Sequence, residues 1–157
     1  MSADNHDFPG LRAPLGEGEA FAHSDNRGFR TPLNVAGHPF VADEPVAVGG
    51  TDQGPSPYGL ISAALASCTA MTLHSYAALK QLPVADIRVL VRHNKVHEVD
   101  SEHCEDNAAA KIDQLERTIW IDGDLPDGAR ERMMQIADRC PVHRTLHGTV
   151  RIVTRTG

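Results

Sequence analysis

Large aromatic side chains are scarce in this sequence: one Trp, two Tyr and four Phe among 157 residues. Cysteines are scarcer, at three, and no run of Lys or Arg occurs. Each shortage excludes something. Nucleic-acid recognition needs a concentrated basic face, and a net charge of −6 with no basic cluster supplies none. The N-terminus, MSADNHDFPG, has no basic stretch leading into an apolar one, so no export signal is visible. An odd number of cysteines without such a signal points to free thiols in a reducing compartment, the cytoplasm, rather than to a disulfide framework. Thiols that stay reduced at rest are available for redox chemistry. Internal repeats and linkers are absent, and residues 49–54 do not follow a strand as a phosphate-cradling loop would.

What is present reads as a single domain, 19–157, behind a flexible N-terminal arm, 1–18. Segments 19–24 and 29–35 flank an Asn26-Arg27-Gly28 turn and predict a hairpin. His38-Pro39-Phe40-Val41 opens a third strand. The following Gly49-Gly50-Thr51-Asp52-Gln53-Gly54-Pro55 is too punctuated for regular structure. A long helix is predicted over 57–82, with Ser56 as its cap and Pro57 at its first position. Residues 60–79 carry no acid, Lys or Arg, which raises the question of a membrane span. Ser62, Ser67, Thr69, Thr72, His74 and Ser75 interrupt them, and most of their apolar residues are Ala. A buried central helix of a soluble domain is therefore the reading. Leu60, Ala64, Cys68, Met71 and Ser75 fall on one helical stripe. A helix apolar nearly all round, in a chain with few large side chains to cover it, predicts a homodimer with a large apolar interface.

Alternation predicts one strand through Ile87, Val89 and Val91. It predicts another through Leu115, Arg117, Ile119 and Ile121, with Trp120 on the opposite side. A second helix over 127–139 and a closing strand over 149–154 complete an α+β order with segregated elements.

Chemistry can sit at three places. Pro141 disfavours helical backbone at Cys140 and suits the first position of a short helix over 141–146. Cys140 would then face the positive end of that helix, with His143 and Arg144 one turn away, and both influences lower a thiol pKa. Cys68 lies mid-helix among Ala, Ser and Thr, where a cysteine usually only packs. The third place is the polar stretch holding His93, His97, Asp100, His103, Cys104 and Glu105. Its spacings match no standard zinc motif, so it reads as a polar loop and no metal is expected. Tyr58, Trp120 and the Met residues read as core or pocket wall, and no cofactor box is present.

The stretch Gly49-Gly50-Thr51-Asp52-Gln53-Gly54-Pro55-Ser56-Pro57-Tyr58-Gly59-Leu60, running into Ala63-Ala64-Leu65-Ala66-Ser67-Cys68-Thr69-Ala70, resembles the first cysteine motif of the OsmC/Ohr family. Cys140-Pro141-Val142-His143-Arg144-Thr145-Leu146 resembles its second. The resemblance covers roughly residues 29–155 and is nearest to the OsmC-like branch that also occurs fused to α/β-hydrolases. It implies an OsmC-like fold: a long central cysteine-bearing helix wrapped by antiparallel strands in an intertwined homodimer. It also implies a peroxiredoxin-like thiol peroxidase acting on organic hydroperoxides, without metal or organic cofactor. The cysteine matching Cys68 attacks the peroxide, the one matching Cys140 resolves the sulfenic acid as a disulfide, and an external dithiol restores both. Peroxidase members carry a Glu where this chain has Tyr58, and an Arg that holds the thiolate where it has Val48. Arg12, Arg27 and Arg30 are the basic candidates to replace that Arg, Arg30 foremost, with Glu44 or Asp52 supplying the acid; Cys68 is then expected to titrate below a free thiol. Two other readings stand beside the peroxidase. One is a non-enzymatic redox-sensing or small-molecule-binding module on the same fold, and the other is an accessory protein whose motif only packs a dimer.

Overall fold

The computed structural model describes residues 8–11, 13–97 and 111–157. The chain divides into two compact units, the first ending at Leu60 and the second beginning at Ile61.

In the first unit, β1 (Ala20–Ala22), β2 (Thr31–Val35) and β3 (His38–Ala42) form an antiparallel sheet in that order. Ala20 pairs with Val35 and Thr31 with Ala42. The hairpin predicted around Asn26 is present, with Asn26 at φ 60° and Gly28 at φ 149° turning the chain. A short 3-10 turn, Val46–Val48, follows β3. The Gly-rich loop after it is pinned by Asp43, a buried carboxylate. Asp43 accepts from the Thr51 hydroxyl at 2.6 Å and from the amides of Glu44, Thr51 and Gln53 at 2.8, 3.1 and 3.2 Å. Gly54 lets the loop approach β3, because a Cβ there would collide with the Val41 carbonyl.

The helix α1 runs Pro57–Lys80. It stops two residues short of the predicted end: Gln81 turns left-handed at φ 52° and the Leu82 amide donates to the Ala77 carbonyl at 2.9 Å, a Schellman-type closure. Its buried residues are Leu65, Thr69, Leu73 and Ala77. This corrects the predicted stripe, since Met71 is 66% exposed and Cys68 sits at the border of the buried face. A helix apolar on most sides does not announce which side its neighbours will cover. Among the described residues no helix is long and apolar enough to cross a membrane.

In the second unit, β4 (Val84–His97) and β5 (Lys111–Gly123) form an antiparallel ribbon, Ile87 opposite Ile121 and Val91 opposite Arg117. α2 (Ala129–Ala137) and α3 (Pro141–His147) follow. Leu73 and Ala77 of α1, Ile121 of β5, and Met133, Ile136 and Ala137 of α2 make the core. Leu73, Met133 and Ala137 have no exposed surface. Trp120, opposite Ile121 in the pleat, points away and is exposed, as is Tyr58; neither is a core residue of the single chain.

The closing strand predicted over 149–154 does not form. Residues 149–157 are in no helix or strand, and Ile152 is 86% exposed. Alternation marks a segment fit for a sheet, but a strand exists only when a neighbouring backbone pairs with it, and none of the described strands does. The architecture is α+β, antiparallel strands with one long helix, as expected.

Candidate functional site: a buried dithiol

Cys68 lies in the fourth turn of α1, and Cys140 is the residue before α3. The backbone at Cys140 is extended, at φ −52° and ψ 129°, as Pro141 requires, and Pro141 occupies the first helical position. The Cys140 amide donates to the Ala137 carbonyl at 3.2 Å, and its carbonyl accepts from the Arg144 amide at 3.0 Å. These bonds fix the residue between two helices. The structure brings the two thiols close enough to influence each other's ionisation. Both are free thiols.

The two environments differ. Cys140 is fully buried, whereas Cys68 keeps some exposed surface. Burial pushes the Cys68 thiol up, and its interaction with the neighbouring Cys140 pushes it further. The Val142 amide and the Thr72 hydroxyl only partly offset this. At Cys140 burial also opposes ionisation, but hydrogen bonds outweigh it. The Cys68 thiol, the Thr69 hydroxyl and the amides of His143 and Val142 together bring Cys140 below an ordinary thiol. Burial opposes ionisation at both sulfurs, and Cys68, expected to titrate below a free thiol, stands above its ordinary value in the single chain.

Thr69 sits behind the pair, without exposed surface. Its hydroxyl oxygen accepts from Arg117 Nη1 at 3.0 Å. The same nitrogen donates to the Ala137 carbonyl at 3.1 Å, and Nη2 pairs with Asp138 Oδ1 at 2.7 Å. Thr69, Thr72 and Arg117 were not singled out by sequence reasoning. The visible signal was one cation on the apolar side of β5, between Leu115 and Ile119.

The other candidates fall elsewhere. His143 stacks on His147 at 5.7 Å between ring centroids and reaches Cys140 through its amide, while Arg144 is exposed. Arg30, in the first unit, donates to Gln53 Oε1 at 3.0 Å and lines a cleft with His23, Arg27, Thr51 and Gln53. Val48 is exposed and Tyr58 lies in the first turn of α1. His93 bonds Asp113 Oδ1 at 2.7 Å, and Lys95 reaches the same oxygen at 3.2 Å. Arg12, Asp100, His103, Cys104 and Glu105 lie outside the described residues. Among the described residues no group of three or more His, Cys, Asp or Glu is placed to hold a metal ion.

No curated protein matches the chain. Solved structures do. The organic hydroperoxide resistance protein OsmC of Legionella pneumophila is similar at TM-score 0.60 and 17% identity, over 83% of this chain and 88% of that one. An organic hydroperoxide resistance protein of Elizabethkingia anophelis, with thiocyanate bound, is similar at 0.60 and 16%, over 82% and 86%. An OsmC-like protein of Mycoplasma pneumoniae is similar at 0.59 and 17%, over 83% and 86%. At such identities these likenesses establish the fold. The family model for OsmC-like proteins matches residues 50–155, a span that holds both cysteines and most of the chain. With both motif cysteines inside that span and the fold shared, this chain belongs to the OsmC-like protein family.

Proposed function

We propose that this chain is a dithiol peroxidase that reduces organic hydroperoxides in oxidative-stress defence, acting in the cytoplasm as a homodimer. The observation that carries the reading is the closeness of Cys68 and Cys140, two thiols that the fold brings together from distant parts of the chain so that each affects the other's ionisation. Cys68, the accessible member, is the attacking sulfur. Its attack on the peroxide breaks the O–O bond, leaves Cys68 as a sulfenic acid and releases the alcohol. The Cys140 sulfur then bonds to the Cys68 sulfur, and the hydroxyl leaves as water. The peroxide gains two electrons and the two thiols lose two. An external dithiol restores both cysteines by exchange. These steps need neither metal nor organic cofactor. Arg30, Tyr58, His143 and Arg144 are the supporting residues of this reading, and the branch it fits is the OsmC-like one that also occurs fused to α/β-hydrolases.

Apolar surface left on the single chain supports the homodimer: Met71 and Leu79 on α1, and Ile152 and Val153 in the tail, are all more than half exposed. A covering interface would bury more than about 2,000 Å². One feature favours the alternative, a non-enzymatic redox-sensing or ligand-binding module: the Cys68 thiol stands above its ordinary value in the single chain. Turnover separates the two. Reduced protein, cumene hydroperoxide and excess dithiothreitol should yield cumyl alcohol over many cycles, and Cys68→Ser should yield none. Hydroperoxide that persists beside the wild-type protein would favour the module.

A further inference from the structure

Arg117 gives its hydrogen bonds to the two segments that carry the cysteines, and the redox steps above leave it unused. We propose that Arg117 is a positioning residue for the dithiol: from β5 it ties α1 beside Cys68 to the backbone anchor of Cys140, and so sets how readily the two thiols close to a disulfide. This role rests on the dithiol reading above, and not on a hydroperoxide being the oxidant.

A guanidinium is a planar fork that can only donate, so it holds the acceptors around it at set angles. Arg117 Nη1 donates to the Thr69 hydroxyl at 3.0 Å, and Thr69 follows Cys68 in α1. The same nitrogen donates at 3.1 Å to the carbonyl of Ala137, the last residue of α2. That carbonyl also accepts the Cys140 amide at 3.2 Å. One nitrogen atom therefore links the residue beside Cys68 to the group that holds the Cys140 backbone. Nη2 pairs with Asp138 Oδ1 at 2.7 Å, which fixes the rotation of the fork. Thr69, Ala137 and Cys140 have no exposed surface, so water does not replace either arm. Leu115 and Ile119 flank Arg117 on the same side of β5, where packing alone would be met by another apolar residue.

A disulfide holds its two Cα atoms within about 4.4–6.8 Å, so any freedom between α1 and the turn joining α2 to α3 is lost as the bond closes. The clamp removes that freedom beforehand, which favours closure. Coupling of this kind is reciprocal: a clamp that favours the disulfide is strengthened by the disulfide by the same factor. A residue that only supports the fold would stabilise the dithiol and disulfide forms alike and would move no equilibrium between them.

The test places the full chain carrying Cys104→Ser in mixtures of reduced and oxidised dithiothreitol, with no peroxide present, and counts free thiols by mass after alkylation. As the pair closes, its two thiols give two electrons and two protons to oxidised dithiothreitol, which opens to the dithiol. Arg117→Met should shift the midpoint toward more oxidising mixtures by about 30 mV, a tenfold fall in the closing constant of this two-electron couple. Thr69→Val, which removes one arm at nearly constant shape, should shift it the same way. In urea, Arg117→Met should lower the folding constant of the disulfide form more than that of the dithiol form, by that same factor. An Arg117→Met midpoint equal to the parent's, with both forms destabilised alike, would overturn the proposal. Should Arg117→Met fail to fold, the Thr69→Val midpoint decides alone. A parent pair that closes in no mixture would sink this inference and the dithiol reading together. The expected shift in a protein that consumes no hydroperoxide would sink the peroxidase reading and leave the role of Arg117 standing.

Discussion

Replacing Arg117 with Met asks how much the clamp behind the dithiol holds together. Met keeps the apolar stem and removes every donor. The Arg117 side chain is 12% exposed, and its removal breaks bonds to Thr69, the Ala137 carbonyl and Asp138. A hydrogen bond from a charged donor contributes about 1.5–3 kcal/mol. The Ala137 carbonyl retains the Cys140 amide, which limits its loss to the low end of that range. Asp138 is 64% exposed and regains water, so its ion pair contributes about 0–1 kcal/mol. The Thr69 oxygen loses its partner in a site without solvent. The total loss should be about 2–4 kcal/mol in urea unfolding at neutral pH, with an unchanged denaturant slope. A loss below about 1 kcal/mol would refute the reasoning, because it would mean the clamp's bonds are readily replaced.

Asp43 sets an acid limit for its loop. The Thr51 hydroxyl, then the amides of Glu44, Gln53 and Thr51, hold its carboxyl at about 2 against an ordinary 3.8, despite the opposing effect of burial. A depressed carboxylate stabilises the fold fully above its unfolded value, and that contribution fades below pH 3.8 and is lost through about pH 2. Asp43→Asn should flatten this part of the stability–pH curve, measured by thermal unfolding; an unchanged curve would remove Asp43 from the account. Gly54→Ala should lower the melting temperature, because the added methyl meets backbone of β3 and not a side chain that can move aside. A melting temperature equal to the wild type's would show that the loop has room to shift. Cys104→Ser should keep fold and peroxide turnover, since Cys104 belongs to neither cysteine motif; loss of most turnover would give that cysteine a role.

The sequence carried most of the elements because their local signals agree with the fold. Ser56-Pro57 starts α1, Cys140-Pro141 starts α3, and the alternation through Ile119 and Ile121 marks β5. Four features were hidden for identifiable reasons. The segment 149–154 alternates like a strand but has no partner among the described strands. α1 is apolar on most sides, so its buried stripe, Leu65 to Ala77, is chosen by packing and not by composition. Thr69 reads as one more small polar residue until Arg117, 48 positions later, is brought against it. Asp43 looks like an ordinary loop acid until the loop folds back and presents three amides to it. In the first three cases the missing information is a contact between residues distant in sequence, and in the last it is the way one loop folds back on itself.

The central claim is that Cys68 and Cys140 react as a pair. Reduced protein treated with one equivalent of cumene hydroperoxide should lose the mass of two hydrogens and release one equivalent of cumyl alcohol. Peptide mapping should join the Cys68 and Cys140 peptides and leave Cys104 free. A Cys68 that accumulates as sulfinic acid while Cys140 stays reduced, or a bond formed to Cys104 instead, would contradict it.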